Sequence, residues 1–124
     1  MSAPLTLTTT HRSLERDADD LRLAADAYTA FVERVEPGLV ALTVTADTDE
    51  ATVTFDHVFA DAAAAEQHLT TAADHIADSF AIAETTRIEV VGRPGPRITG
   101  LLDANWAAGV AVRSRESVNG FHRH

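Results

Sequence analysis

Between Val53 and Leu69 the chain changes its hydrophobic period. In VTFDHVF alternate residues share a face, so Val53, Phe55, His57 and Phe59 point one way from a strand and Thr52, Thr54 and Asp56 the other. At Asp61, a natural N-cap, the spacing becomes helical. Ala65, Leu69, Ala72, Ile76 and Phe80 then form the core stripe of a helix predicted over 62–80. A strand that feeds directly into a helix with one apolar stripe has to be covered by that helix. The same unit carries His57 inside the apolar row and His68 on the helix, and an ionisable group at such an address is the most specific hint of chemistry in the chain.

The flanking segments extend this unit. Leu5-Thr6-Leu7-Thr8-Thr9 alternates like a strand, and from Ser13 or Asp17 to Val35 apolar residues recur at helical steps, with Asp17, Asp19 and Asp20 near the positive end of the helix. Glu36-Pro37-Gly38 stops that helix. Leu39–Thr45 and Ala51–Phe59, joined by the polar Asp47-Thr48-Asp49-Glu50, read as a hairpin, and Arg87–Val91 as a further strand closed by Pro94-Gly95-Pro96. The order strand, helix, strand, strand, helix, strand predicts an α+β, ferredoxin-like fold, an antiparallel sheet with two helices on one face. The opposite face is expected to be apolar and to be covered by a second copy, giving a homodimer. After Pro96, the residues Ile98, Leu101, Leu102 and Trp106 predict a short helix ending at Gly109, followed by a strand at Val110–Val112. Residues 1–96 are thus the ferredoxin-like unit, and 97–124 a helix/strand appendage of the same domain.

Composition narrows the chemistry. A chain of 124 residues suits one core, and its net charge of -9 disfavours nucleic acid and anionic membranes as partners. No apolar run approaches the ~20 residues of a membrane span, and no secretory signal is visible, so a cytoplasmic location is expected. The absence of cysteine excludes disulfides and thiolate chemistry. No GxSxG, GxGxxG or GxxxxGK[ST] string occurs, and the acidic stretches lack the spacing of a calcium loop. A metal site from His57, His68 and His75 with Asp56 or Asp61 lacks any close HxH or HxxxH pair, and His122 and His124 belong to a terminal tail. Neither metal nor cofactor is expected.

Several strings resemble the antibiotic-biosynthesis-monooxygenase-like family of dimeric α+β barrels. They are Glu36-Pro37-Gly38 before a strand, His57-Val58-Phe59-Ala60-Asp61 entering a helix, the alanine run to His68, and Ile88-Glu89-Val90-Val91-Gly92-Arg93-Pro94; together they span about residues 5–94. The resemblance implies a sheet-to-sheet dimer, a pocket between sheet and helices, and often a cofactor-free oxygenation of an electron-rich aromatic such as a quinol. Because the family also holds haem-degrading and stress-related members, its fold transfers better than its activity. The haem-degrading branch sets an asparagine, a tryptophan and a histidine around the porphyrin. Here the one tryptophan, Trp106, lies outside the matching core, which argues against haem chemistry.

The resulting candidate site has His57 and His68 as catalytic groups, since an imidazole near its reference pKa of ~6.5 can accept a phenolic proton. Phe31, Phe55, Phe59, Leu69 and Ile76 would hold a small aromatic or apolar ligand, and Trp106 would cover it or serve as a packing plug. The rival is a non-catalytic small-molecule-binding or stress-related protein. In it His57 is a core residue bonded to a carbonyl or carboxylate, and His68 and His75 rest at a solvent boundary. An isomerase or lyase using the same histidines is a third reading. Arg113 and Arg115 could meet a substrate carboxylate or acidic groups of the dimer mate, and the second is expected.

Overall fold

A computed structural model describes residues 3–14, 19–47 and 49–121. The predicted helix start before Asp19, the tail histidines His122 and His124, and the side chain of Phe80 lie outside that description. The elements are β1 (Leu5–Ser13), α1 (Asp19–Val35), β2 (Leu39–Asp47), β3 (Thr52–Phe59), α2 (Ala62–Thr71), α3 (Ala73–Phe80), β4 (Ala83–Val91), α4 (Pro96–Ala107) and β5 (Ala111–Arg115). They build one five-stranded sheet in the order β2-β3-β1-β4-β5. The first four strands are antiparallel to their neighbours and form the ferredoxin-like arrangement, with β1 central between β3 and β4.

Three details depart from the sequence expectation. β1 runs past Thr9 to Ser13, because two neighbouring strands satisfy its backbone and outweigh the weak propensity of Thr10-His11-Arg12. The single helix expected over 62–80 is two, α2 and α3, meeting at Ala72, whose N–H is shared between the carbonyls of His68 and Thr70. The apolar spacing continues through this break, so periodicity alone does not reveal it. Finally, β5 joins the sheet edge parallel to β4, so the sheet is not wholly antiparallel.

One sheet face carries all the helices. Along β3 the residues Val53, Phe55, His57 and Phe59 are buried there and Asp56 on the other side is exposed. Register sets Leu7 opposite His57 and Leu5 opposite Phe59. The core has two parts: Leu5, Leu7, Phe59, Ala65, Ile88, Val90, Ile98 and Leu102 at one end, and Leu21, Ala25, Tyr28, Val32, Val53, Phe55, Ala72 and Ala83 at the other. Full burial of side chains such as Phe59 or Ile98 stabilises the fold by about 1.5–3 kcal/mol each.

The first part includes α4, which is anchored by a carboxylate from α2. Gly95 has no capping side chain of its own, and Glu66 accepts from the backbone N–H groups of Arg97 and Ile98, both at 2.8 Å. A Cβ on Gly95 would lie 2.5 Å from Glu66 Oε1, so only glycine lets the carboxylate reach the helix end. Glu66→Ala should therefore lower stability by about 1–2 kcal/mol, the range of a lost N-cap, as read by urea unfolding.

The outward sheet face corrects an expectation. It is mostly polar along its middle, bearing Thr6, Thr8 and Thr10 of β1 and Thr52, Thr54 and Asp56 of β3, with Val58 and Val91 flanking Thr6. Thr8 donates to Asp56 at 2.8 Å and the Thr10 and Thr54 hydroxyls pair at 3.0 Å. Threonine suits a pleated surface for its branched shape, and the same alternation that buries Leu5 and Leu7 turns the hydroxyls out.

Candidate functional site: a buried histidine-tyrosine-glutamate chain

Between the two parts of the core runs a continuous file of polar groups. His57 Nδ1 lies 2.9 Å from the Leu7 carbonyl. Its Nε2 lies 2.6 Å from the Tyr28 hydroxyl, which lies 2.9 Å from His68 Nε2. His68 Nδ1 in turn meets both carboxyl oxygens of Glu36, at 2.8 and 2.9 Å. His57, His68 and Glu36 are 4%, 3% and 9% exposed, and among the described residues no buried side-chain nitrogen or oxygen lacks a partner.

Donor and acceptor rules orient this file. The Leu7 carbonyl can only accept, so His57 carries its proton on Nδ1 and offers the Nε2 lone pair to Tyr28. The single Tyr28 proton is then given to His57. Its oxygen must accept from His68 Nε2–H, because two imidazole lone pairs cannot share one hydroxyl proton. With Nε2 of His68 protonated, the link from His68 Nδ1 to Glu36 needs one further proton, resting on the imidazole or on the carboxyl. Both forms keep the file electrically neutral; losing that proton would bury a net negative charge and set lone pairs against each other.

Electrostatics agree with this count. Burial pushes the Glu36 carboxyl up to about 7. Burial lowers His68 to about 4, and lowers His57 to about 4 with help from a charge on His68. Burial, followed by the Glu36 charge, raises the Tyr28 phenol well above its ordinary value. At neutral pH both imidazoles are therefore uncharged and the extra proton favours the carboxyl.

Each member is placed by a different element. Tyr28 sits on the buried stripe of α1 with Leu21, Ala25 and Val32. Glu36 follows α1 directly, and its N–H still bonds to the Val32 carbonyl. His68 faces inward in the last turn of α2, which approaches β2 so closely that a Cβ on Gly38 would stand 2.7 Å from Ala64 Cβ. A third imidazole, half-buried His11 on β1, packs edge-on against Phe55 and is held by the hydroxyls of Thr9 and Thr85, both at 3.1 Å. Burial, then repulsion from His57, lowers His11 to about 4.

The structure brings His57 and His68 together but distributes the other candidates. Phe59 and Leu69 belong to one part of the core, while Phe31, Phe55 and Ile76 belong to the other, so the polar file lies between them. His68 does not rest at a solvent boundary. His75 is half-buried, its ring 4.6 Å from that of Phe31 and 6.3 Å from that of Tyr28. Trp106 neither covers the histidines nor plugs the appendage: it is 69% exposed beside β5. Asp56 is engaged with Thr8 and Asp61 caps α2 through Ala64 N–H, so neither carboxylate turns to the imidazoles. Sequence reasoning missed Tyr28, Glu36 and His11. Tyr28 carried a signal as the one tyrosine of the chain, set on a helix's core stripe; Glu36 looked like punctuation before Pro37-Gly38.

No protein-family model and no curated protein matches the chain. Solved structures do. MupZ from Pseudomonas fluorescens superposes with a TM-score of 0.76 at 18% identity, over 98% of this chain and 96% of that one. SnoaB, a cofactor-independent oxygenase from Streptomyces nogalater, gives 0.64 at 15% identity over 76% of this chain and 96% of its own. A Caulobacter crescentus protein named for the antibiotic biosynthesis monooxygenases gives 0.63 at 17% identity, over 72% and 88%. The chain has the antibiotic biosynthesis monooxygenase-like fold. The match to MupZ spans nearly the whole chain, α4 and β5 included.

Proposed function

We propose that this protein is a cofactor-independent monooxygenase acting on a hydroxylated aromatic or quinol, working as a cytoplasmic homodimer. The observation that carries this reading is the file Glu36–His68–Tyr28–His57, in which a proton arriving at Tyr28 can be shared along hydrogen bonds that are already made. With an anthrone as substrate the balance is a methylene plus dioxygen giving a ketone plus water. The file accepts the proton that leaves as the enolate forms. The enolate carbon passes an electron to oxygen, and the two radicals join as a peroxide anion that takes back the proton held by the file. Loss of the remaining C–H proton as the O–O bond breaks forms the ketone and expels hydroxide, proton and hydroxide leaving together as water. The substrate would meet Tyr28 from the side of Phe31, His75 and Ile76, which are half-buried between α1 and α3. SnoaB, of the same fold, is a cofactor-independent oxygenase.

A second reading, a non-catalytic member of the fold, is favoured by the completeness of the same file: both nitrogens of His57 and of His68 are already engaged. Oxygen uptake on a panel of anthrones and quinols separates the two. The oxygenase reading expects uptake above blank that falls at least about tenfold in Tyr28→Phe, with the variant's circular dichroism unchanged. Blank-level uptake across the panel would leave the structural reading in possession.

A further inference from the structure

The C-terminal part of the chain has a different electrical character from the rest. Residues 1–83 hold four arginines against fifteen carboxylates, whereas residues 84–121 hold five against four. In that second part, Trp106 in the last turn of α4 stands between two hollows along β5. One, of about 300 Å³, is lined by Arg87, Trp106, Ala111, Val112 and Arg113. The other, of about 350 Å³, shares Trp106 and Val112. An indole left 69% exposed on a structured helix keeps a large apolar surface in water. Arg87 bonds loosely to Glu89 at 3.2 Å, and Arg115 reaches the same carboxylate at 3.7 Å. Among the described residues Arg113 has no ion-pair partner.

We infer that the hollow of Trp106, Arg87 and Arg113 is a binding site for a planar aromatic carboxylate. The ring would lie on the indole and against Val112, and the carboxylate would be held by the guanidinium forks, whose planar paired donors match its two oxygens. Surface arginine alone would attract any anion, and the indole alone any apolar ring; their juxtaposition selects molecules that are both. In a protein of net charge -9 this is a local reversal of the field, which steers an organic anion to this edge and away from the acidic remainder. The site is independent of the oxygenase reading, since it lies outside the histidine file.

The test is a titration of the full chain with 1-naphthoate, followed through the one indole N–H signal in a nitrogen-proton correlation spectrum. The expected result is a saturable shift of that signal, with 1-naphthalenemethanol binding at least about tenfold more weakly and acetate causing no shift. Arg113→Gln and Arg87→Gln, at exposed positions that leave the fold intact, should each weaken naphthoate by about tenfold. Equal affinity for acid and alcohol, unchanged affinity in Arg113→Gln, a shift that never saturates, or an indole shielded from acrylamide by a second copy would each overturn the assignment.

Discussion

His68→Leu is expected to lower stability at pH 7 by about 3–5 kcal/mol, the cost of stranding one partner of a buried pair. The side chain of Glu36 is only 8% exposed, and its bonds run to His68 Nδ1 alone. Leucine restores most of the volume of the imidazole but supplies no polar atom, leaving both the carboxyl and the Tyr28 oxygen without their partner. Because Glu36 can then be accommodated only as the neutral acid, the penalty should shrink as pH falls from 7 toward the carboxyl's ordinary value of 4.5, where the unfolded chain begins to take up the same proton. The double replacement Glu36→Leu with His68→Leu should recover much of the loss, since an apolar pair of similar shape leaves no orphan. Urea unfolding of the three variants measures the coupling. A single-variant cost below about 1 kcal/mol would mean that water already reaches Glu36 and that the file is not dry.

How much of this could be read beforehand follows from the range of each signal. Short-range patterns sufficed for the element order: the alternation Val53-Phe55-His57-Phe59 fixed which way His57 points, and Asp61 marked the start of α2 as its N-cap. They also put His57 and His68 on the two layers that meet. Patterns that depend on the partner element were illegible. Thr10-His11-Arg12 has little strand character by itself and becomes β1 because β3 and β4 flank it. The outward face was expected to be apolar because sheets commonly bury both sides, although Thr6, Thr8 and Thr10 already alternate with Leu5 and Leu7. Glu36 was invisible for a deeper reason. A carboxyl beside Pro-Gly is normally solvated, and only the arrival of α2 over β2 encloses it. Tyr28 shared this fate: helical spacing identifies a core position but not that its hydroxyl will meet two imidazoles from elsewhere in the chain.

The second large effect is acid lability, and its sign comes from opposed shifts. Burial lowers His11, His57 and His68 in the folded chain from the ordinary imidazole value of 6.5 to about 4, so their contribution is fully present above pH 6.5 and is lost as pH falls toward 4. Glu36 is raised from 4.5 to about 7, so its contribution is fully present below pH 4.5 and is lost as pH rises through 7. Between those limits the unfolded chain binds three histidine protons that the folded chain refuses, while the folded chain keeps one carboxyl proton that the unfolded chain releases. The histidines outweigh the carboxyl by about two protons, so stability should rise from about pH 5 to 6 by roughly 3 kcal/mol per pH unit. Because a domain of this size has only about 5–15 kcal/mol in total, cooperative unfolding should set in between pH 6 and 4 without added denaturant. Stability measured by urea at half-unit steps from pH 8 to 5 gives the proton uptake directly, and a flat profile across that range would show that the imidazoles are charged in the folded protein. Tyr28, the one tyrosine, supplies an internal check from the alkaline side. Its phenolate absorbance near 295 nm should appear only when the fold is lost, since burial and the neighbouring Glu36 both oppose its ionisation. Appearance of that band in a chain still folded by circular dichroism would place the hydroxyl in water and break the file at its centre.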